Sequence, residues 1–302
     1  MRWMGVDLGG TSTRVVVASS DGDVVAAGRA AGGNPRSSLG DPAENLAAAI
    51  RSADVGAVTH VGIGAAGTGS ARRDEVLATL RRGLALAGID APVTFDTDFG
   101  IAYRAAAPGG DGRLLLAGTG AVAARFEGWG LVRRFDGLGP LLGDSGSGAW
   151  IGREALRAVA RALDGCGPAT ALTAPVLAHL GVDPATADPA QALVRATDGL
   201  RPARWAEFAR FVIEHEDDET AAGVLDDAAR ALLDTLACAG EGPVVLAGGV
   251  LAGGGLRRRI EDAVGPAPHA AFPVVGACAL AAAAAGGALD RERLAAALAA
   301  RG

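Results

Sequence analysis

The sequence predicts an α/β fold divided into two domains, and three observations support this. Strand-like and helix-like stretches alternate over the first hundred residues, which is typical of α/β folds. A length of 302 residues exceeds the usual size of a single hydrophobic core. A strand, a glycine turn and a second strand occur at two separate places, so we expect two related lobes that share one ligand cleft.

The first lobe is expected to begin with three strands. Apolar stretches predict strands over 3–7, 13–18 and 24–29. Asp21-Gly22 supplies a hairpin turn between the second and third strands. The sheet therefore starts with antiparallel strands, and helical crossovers follow.

The first helix has a clear start at Asp41-Pro42. Asp41 is a capping carboxylate, Pro42 suits the first helical position, and Glu44 can satisfy a further free N–H group. We expect this helix to run to Arg51. Later strands are predicted over 60–64 and 93–96, with a further helix between them.

The segment 108–112 (PGGDG) favours a turn and marks the predicted domain boundary. The N-terminal lobe would comprise residues 1–107 and the C-terminal lobe residues 108–302. The second lobe is predicted to contain strands over 114–117 and 122–126, a helix over 147–163, a helical insertion within 169–239 and a strand over 243–247. A strand over 269–274, an alanine-rich helix and an amphipathic helix over 290–300 follow, and this last helix is a candidate for packing on the N-terminal lobe.

Composition and charge exclude several classes of function. A net charge of −6 and a pI near 5.3 argue against nucleic acid as a partner, and we expect Arg257-Arg258-Arg259 on a solvated helix face. The apolar run 276–289 has about 14 residues, fewer than the ~20 that span a bilayer, so no membrane partner is expected. No signal-like segment precedes Asp7, and we therefore expect a cytoplasmic protein.

The three cysteines, Cys166, Cys238 and Cys278, lie far apart and form no C-x-x-C pair. This spacing suggests neither a zinc ribbon nor a ferredoxin-type cluster. We expect all three to be small, buried core residues.

The segment Asp7-Leu8-Gly9-Gly10-Thr11 lies between two predicted strands and is typical of a phosphate-binding hairpin. Paired glycines let backbone N–H groups approach a charged phosphate. A carboxylate among phosphates is useful when it holds Mg²⁺, so the motif predicts nucleotide and metal together. A tight β-turn without a ligand explains the same residues equally well.

Two carboxylates, Asp96 and Asp98, follow the strand predicted over 93–96. A carboxylate at the carboxyl end of a strand points into the crevice of an α/β sheet, where it could accept the proton of a substrate hydroxyl. The alternative is structural, because Asp98 is also a reasonable N-cap for the helix that follows.

Two further loops are candidates for ligand binding. Gly118-Thr119-Gly120 could hold phosphates through backbone N–H groups, or it could be a plain hairpin. The glycine-rich segment 137–150 contains one carboxylate, Asp144, which can accept hydrogen bonds from two sugar hydroxyls. A flexible loop ending in a capping serine is the alternative for this segment.

The order of these motifs resembles that of the acetate and sugar kinase, heat-shock protein and actin superfamily. It comprises the Asp7–Thr11 hairpin, Asp98 at a strand end, the 118–120 turn, the 143–148 loop and Gly248-Gly249. Within the superfamily, the chain is similar to the BadF/BadG/BcrA/BcrD-type ATPase and N-acetylglucosamine kinase family. The resemblance implies two ribonuclease-H-like (actin-like ATPase) lobes around a central cleft, with ATP and Mg²⁺ as cofactors.

The resemblance also implies roles for individual residues. Asp98 would be the catalytic base acting on the sugar hydroxyl, with Asp96 as second choice, and Asp7 would hold Mg²⁺. The cofactor-binding residues would be Asp7, Gly9, Gly10, Thr11, Gly118, Thr119, Gly120, Gly248 and Gly249. The substrate-binding residues would be Asn34, Asp98, Gly139 and Asp144. The implied activity is ATP-dependent phosphorylation of a hexose or amino sugar, with N-acetylglucosamine or glucosamine as first candidates and a homodimer as the expected assembly.

The chain departs from the N-acetylglucosamine kinase pattern at two positions. Val122 stands where an asparagine is usual and Leu138 where a tryptophan is usual, which leaves glucosamine or another hexose open. Two alternative functions are a BadF-type activase and a catalytically silent sugar-binding regulator. The cysteine spacing argues against the first, and the presence of both Asp7 and Asp98 against the second.

Overall fold

The computed structural model of the chain describes residues 1–9, 12–33, 40–65 and 73–301. The chain divides into two units, each with a five-stranded mixed sheet and flanking helices, which confirms the predicted α/β class. Unit 1 comprises Met1–Gly110, Glu127–Gly130 and Ala270–Gly302, and unit 2 comprises Asp111–Phe126 and Leu131–His269. The functional division after residue 107 stays a prediction.

The sheet of unit 1 has the strand order β3-β2-β1-β4-β5. Its strands are β1 (Arg2–Leu8), β2 (Ser12–Ser19), β3 (Val24–Ala31), β4 (His60–Ala65) and β5 (Val93–Asp96). The central strand β1 pairs antiparallel with β2 and parallel with β4. A hairpin gives the antiparallel pair, and a helical crossover gives the parallel one, so both pairings agree with the prediction. The predicted turn at Asp21-Gly22 is confirmed, since Gly22 has a φ of 83° and its N–H donates to the Ser19 carbonyl at 3.1 Å.

The described residues of unit 1 form the helices α1 (Pro42–Ser52), α2 (Arg73–Leu86), α3 (Asp98–Ala106), α11 (Pro273–Ala284) and α12 (Arg291–Ala299). The predicted cap of α1 is confirmed, because the Asp41 carboxylate accepts the Ala43 N–H at 3.0 Å. Leu46 of α1 and Leu80 of α2 share a buried apolar cluster with Val6 and Ile63 of the sheet. Among the described residues, no helix has the length and apolar content needed to cross a bilayer.

Helix α11 packs closely on its neighbours because glycines remove the side chains that would intervene. A Cβ on Gly62 of β4 would lie 2.1 Å from the Ala277 carbonyl oxygen, and a Cβ on Gly5 of β1 would lie 2.6 Å from the Cys278 nitrogen. A Cβ on Gly276 itself would lie 1.8 Å from the Ile101 carbonyl oxygen of α3. These approaches are shorter than any van der Waals contact, so the three positions require glycine.

We therefore expect Gly276→Ala to lower the free energy of unfolding by about 1–3 kcal/mol, the usual cost of overpacking a tight interior. Gly223→Ala is the matched control, because Gly223 is an exposed glycine of a helix in unit 2 with open space where its Cβ would be. That control should stabilise the protein by about 0.5–1 kcal/mol through its helix propensity. Urea unfolding of both variants measures the two effects, and equal effects at the two positions would contradict the packing argument.

Unit 2 repeats the same connectivity with the strand order β10-β9-β6-β7-β8. Its strands are β6 (Gly112–Ala117), β7 (Ala121–Glu127), β8 (Gly130–Asp136), β9 (Val244–Ala247) and β10 (His269–Ala270). Strand β6 takes the central position, pairing antiparallel with β7 and parallel with β9. Each unit therefore begins with a hairpin whose first strand lies at the centre of its sheet.

The helices of unit 2 are α4 (Gly148–Leu163), α5 (Thr173–Leu180), α6 (Pro189–Thr197), α7 (Pro202–Trp205), α8 (Ala209–Glu214), α9 (Glu219–Ala237) and α10 (Gly254–Val264). Short 3₁₀ turns cover Ala206–Phe208 and Gly249–Leu251. The segment 169–239 is thus mostly helical, and its apolar side chains pack in one buried cluster with Leu115 of β6 and Ile151 of α4.

Two expectations about individual segments are wrong. The strand predicted over 269–274 ends at Ala270, because Pro273 occupies the first turn of α11 and suits a helix start. Of the three cysteines expected in the core, only Cys278 is buried, and burial raises the pKa of its thiol to about 12. Cys166 and Cys238 are exposed.

Candidate functional site

The β1–β2 hairpin places Asp7 near the end of β1, opposite Arg14 on β2. The Gly9 N–H donates to the Ser12 carbonyl at 3.0 Å and closes the hairpin. The predicted phosphate-binding residues Gly10 and Thr11, and the predicted sugar-binding residue Asn34, lie outside the described residues. The described part of the hairpin thus presents one carboxylate with a cationic neighbour.

The Asp7 carboxyl has an unusual environment. Burial raises its pKa from the ordinary 3.8 to about 6. Arg14 opposes this rise, whereas the negative charge of Asp98 adds to it. Asp98 therefore lies close enough to Asp7 in unit 1 to destabilise the ionised form of Asp7, and a bound cation would relieve that repulsion.

Asp96 and Asp98 occupy different environments at the junction of β5 and α3. The Asp96 carboxylate accepts the Thr97 N–H at 2.7 Å and packs against Gly100, where a Cβ would lie 2.3 Å from its Oδ1 atom. Burial raises the pKa of Asp96, while the Thr97 N–H and the Arg104 charge lower it. Asp96 therefore contributes to the start of α3.

Thr97, rather than Asp98, caps helix α3. The Thr97 hydroxyl accepts the Gly100 N–H at 2.9 Å, so the capping alternative for Asp98 is wrong. Asp98 is the first residue of the helix and is partly buried. A carboxylate at a helix N-terminus is also favoured by the helix dipole.

In unit 2, the turn Gly118-Thr119-Gly120 connects β6 to β7 and is fixed against the start of α4. The Gly118 N–H donates to the Gly120 carbonyl at 2.9 Å. The carbonyls of Gly118 and Thr119 accept the N–H groups of Gly148 and Ala149, at 2.7 and 3.1 Å. The turn and the helix N-terminus therefore form one rigid group of peptide dipoles.

Gly248, after β9, approaches the same turn. Its φ is 90°, and a Cβ there would lie 2.2 Å from the Ala117 carbonyl oxygen, so this position requires glycine. The Gly248 carbonyl accepts a hydrogen bond from His269 Nε2 at 3.1 Å, and burial lowers the pKa of His269. Because a carbonyl oxygen only accepts, His269 carries a proton on Nε2. Gly249 is exposed, with open space where a Cβ would be.

Asp144 is one of the few buried polar residues of unit 2, with 8% of its surface exposed. Its carboxylate accepts the Ala121 N–H at 3.3 Å and a hydrogen bond from the Gly139 N–H. Burial is the main cause that raises its pKa, and the Asp136 charge adds to the rise. Since an ionised carboxylate has about four acceptor sites, Asp144 retains capacity for ligand hydroxyls.

Two residues near these motifs, Arg153 and Trp205, were not predicted from the sequence. A narrow pocket beside Asp144 is lined by Pro140, Gly143, Ala149, Trp150, Arg153 and Trp205. Trp205 comes from the helical insertion, and no sequence motif pointed to it. A separate cavity of about 230 Å³ between α4 and α9 contains none of the predicted site residues.

The sequence model of the BadF/BadG/BcrA/BcrD ATPase family matches residues 4–288 of the chain. The chain belongs to this family. Membership of an ATPase family implies that ATP is the nucleotide used. The resemblance inferred from the hairpin, the strand-end carboxylate and the glycine turns is therefore confirmed.

The chain is also similar to two individual proteins. An N-acetyl-D-glucosamine kinase of Dictyostelium discoideum is 35% identical over 130 residues, which cover 41% of this chain and 39% of that protein. A glucosamine kinase of Vibrio cholerae is 31% identical over 196 residues, covering 60% of this chain and 62% of that protein. The chain thus matches less than two thirds of the length of either relative.

A solved structure extends this similarity over nearly the whole BadF/BadG/BcrA/BcrD-family chain. A protein of Chromobacterium violaceum, described as a candidate N-acetylglucosamine kinase, has 25% identity and a TM-score of 0.68. The match covers 92% of this chain and 97% of that chain.

The two positions that depart from the kinase pattern have contrasting environments in this ATPase-family member. Val122 is buried in β7, and a Cβ on Gly137 would lie 3.4 Å from its side chain. Leu138 is 59% exposed. Arg14 could have been identified from the sequence, because a β1–β2 hairpin that pairs Leu8 with Thr13 places Arg14 opposite Asp7.

Proposed function

We propose that the protein is an ATP-dependent sugar kinase that phosphorylates a hydroxyl of a hexose or amino sugar. N-acetylglucosamine and glucosamine are the first candidates, since two relatives carry those names. The observation that carries the proposal is the pair Asp7 and Asp98, two partly buried carboxylates of unit 1, of which Asp7 has a pKa raised by burial and by the charge of Asp98. Such a pair of carboxylates suits phosphoryl transfer.

Asp7 is the proposed ligand of Mg²⁺, either directly or through water. Mg²⁺ prefers oxygen donors and is commonly held by one or two carboxylates together with substrate phosphates. The donor set fits, because Asp7 and its neighbour Asp98 both offer carboxylate oxygens. Bound with ATP, the ion would neutralise charge on the transferring phosphoryl group.

Asp98 is the proposed general base. The sugar hydroxyl oxygen attacks the γ-phosphorus of ATP, the bond from that phosphorus to the β,γ-bridging oxygen breaks, and ADP leaves. The hydroxyl proton passes to an Asp98 carboxylate oxygen. Because Thr97 supplies the cap of α3, the Asp98 carboxylate is not required for capping.

Unit 2 would supply the remaining binding groups. Gly118-Thr119-Gly120 would form the second phosphate turn, and Gly248-Gly249 would border the adenosine. Gly139 and Asp144 would hydrogen bond to sugar hydroxyls, as would Asn34 of unit 1. The close approach of Gly248 to Ala117 and the buried position of Asp144 support these assignments. The homodimer stays a prediction of the sequence.

A substrate panel tests the proposal. The chain is incubated with Mg-ATP and, separately, glucosamine, N-acetylglucosamine, N-acetylmannosamine, glucose or muramic acid, and the products are identified by mass spectrometry. We expect one amino sugar or hexose to gain a phosphoryl group with stoichiometric formation of ADP. ATP hydrolysis without any phosphorylated sugar would contradict the kinase assignment and favour an activase-like ATPase.

A further inference from the structure

The loop between β8 and α4 is closed at its base by a single carboxylate, that of Asp136. Its Oδ1 atom accepts the N–H of Asp144 at 2.8 Å, and its Oδ2 atom accepts the N–H of Ser145 at 3.2 Å. A third, longer hydrogen bond runs from the Leu138 N–H to Oδ1 at 3.4 Å. Asp136, at the start of the loop, is thus hydrogen bonded to Asp144, eight residues later at the end of the loop.

The backbone at both ends of this loop adopts a conformation that side chains rarely accept. Asp136 has a φ of 64° and Asp144 a φ of 57°, both in the left-handed region. Each non-glycine residue in that region costs roughly 1 kcal/mol or more, and Asp and Asn tolerate it best. Strain of this kind persists only where surrounding contacts enforce it, and it concentrates at functional sites.

Gly143 shows how closely the carboxylate fits. A Cβ at Gly143 would lie 2.0 Å from Asp136 Oδ1, so the loop passes directly over that atom. The Gly143 N–H bonds to the Gly139 carbonyl at 2.8 Å and forms an inner turn. The carboxylate at its base and this inner turn therefore define the course of the loop.

Apolar packing does not hold the tip of the loop. Leu138, Leu141 and Leu142 are 59%, 91% and 76% exposed, so these side chains contribute little buried surface. Polar contacts at the base must therefore fix the backbone of Asp144. They also orient its carboxylate, which lies against the Gly120–Ala121 end of the glycine turn.

We propose that Asp136 is a positioning residue that holds the Asp144 carboxylate in place for the ligand of unit 2. The identity of that ligand as a sugar rests on the proposed function. Asp136 itself need not touch the ligand, because its two oxygens are occupied by backbone N–H groups. Its removal should therefore affect sugar binding through Asp144 alone.

Asp136→Ala and Asp136→Asn test this proposal. The alanine variant loses every acceptor, whereas asparagine keeps an oxygen for the Asp144 N–H and loses the acceptor for the Ser145 N–H. We expect the KM for the sugar to rise about tenfold or more in Asp136→Ala, in line with the effect of small displacements of binding groups. Asp136→Asn should recover part of the loss, and kcat and the KM for ATP should change less than about twofold.

Asp54 provides a matched control for the backbone. It is an exposed aspartate of unit 1 with a φ of 47°, so Asp54→Ala and Asp54→Asn make the same chemical changes on the same type of backbone. These variants should leave the KM for the sugar unchanged. A similar rise in KM for the Asp54 and Asp136 variants would overturn the proposal, because it would point to a general loss of stability.

Hydrogen exchange provides a readout that does not depend on catalysis. The N–H groups of Asp144 and Ser145 should exchange about tenfold faster or more in Asp136→Ala, since an acceptor is lost from both. Unchanged exchange at both positions would overturn the proposal, even if activity falls. If the wild-type chain phosphorylates no sugar, the proposed function fails, and exchange alone then decides whether Asp136 holds Asp144.

Discussion

Asp98→Asn lowers kcat for sugar phosphorylation by about 10²- to 10⁴-fold, with little change in the KM for the sugar. The asparagine side chain keeps the size and hydrogen-bonding shape of the carboxylate but cannot accept the hydroxyl proton. Helix α3 should remain intact, because its cap is Thr97. Steady-state kinetics with the sugar that responds in the panel, together with sugar binding by calorimetry, measure both parts of this expectation.

Asp96→Asn is the matched control two residues earlier. Asparagine can still accept the Thr97 N–H, so kcat should stay within a few-fold of the wild-type value. Any effect should be seen in the free energy of unfolding, at about 1 kcal/mol for one weakened hydrogen bond. If Asp96→Asn is inactive while Asp98→Asn turns over normally, Asp96 is the base and the assignment of Asp98 is wrong.

Asp7→Asn stabilises the ligand-free protein at neutral pH while it weakens binding of Mg-ATP. The pKa of Asp7 is about 6 in the folded protein against an ordinary value of 3.8. The folded state therefore holds the proton more tightly than the unfolded chain does. Ionisation of Asp7 lowers the free energy of unfolding as pH rises from about 4 to about 6, and the loss is complete above that range.

The size of this effect follows from the same two values. At pH 7.5 the ionised Asp7 costs about 3 kcal/mol, since each pKa unit corresponds to about 1.4 kcal/mol. Asparagine does not ionise, so urea unfolding should show a stability gain for Asp7→Asn that grows between pH 4 and 6 and is then constant. A gain that is equal at pH 4 and pH 7.5 would contradict burial of the charge as its cause.

Binding of Mg-ATP gives the opposite sign for the same variant. Loss of the carboxylate should weaken Mg-ATP binding about tenfold or more, as expected for a contact to a charged group. Calorimetric titration with Mg-ATP measures this change. A variant that gains stability and keeps wild-type affinity for Mg-ATP would remove Asp7 from the proposed nucleotide site.

Local signals in the sequence predicted much of the fold. The cap at Asp41 and the capping serine before α4 act within three residues, so propensity and position suffice to predict both helix starts. Glycine turns between apolar stretches likewise predicted the hairpins of both units. The strand order then follows from one hairpin and parallel crossovers, which leave few alternatives.

Other features depend on contacts that no local pattern encodes. Strand β8 is an edge strand whose residues are mostly exposed, so it lacks the alternation that indicates a strand. The choice between Thr97 and Asp98 as the cap of α3 depends on where β5 ends, since both residue types are good caps. Strand propensity over 269–274 was overridden by a proline at the start of α11.

The candidate site shows the same division. Asp7, Asp98 and Asp144 belong to short motifs that are typical of nucleotide or sugar binding, so the sequence alone predicted all three as candidate site residues. The position of Asp136 over the base of its loop requires two residues with left-handed backbone and a glycine at 143, and this arrangement is visible only in three dimensions. A residue that acts by positioning another residue has no characteristic spacing in the sequence, so it is not found from sequence motifs.

The close packing of α11 has a consequence for how the chain folds during synthesis. Trp3, Val16 and Ile101 are buried partly against side chains of α11, yet that helix begins only at Pro273. Unit 2 lies within residues 111–269, so it is fully translated before unit 1 is complete. The sheet that carries Asp7, and helix α3 that begins at Asp98, therefore lack their packing partner until the last tenth of the protein has been translated.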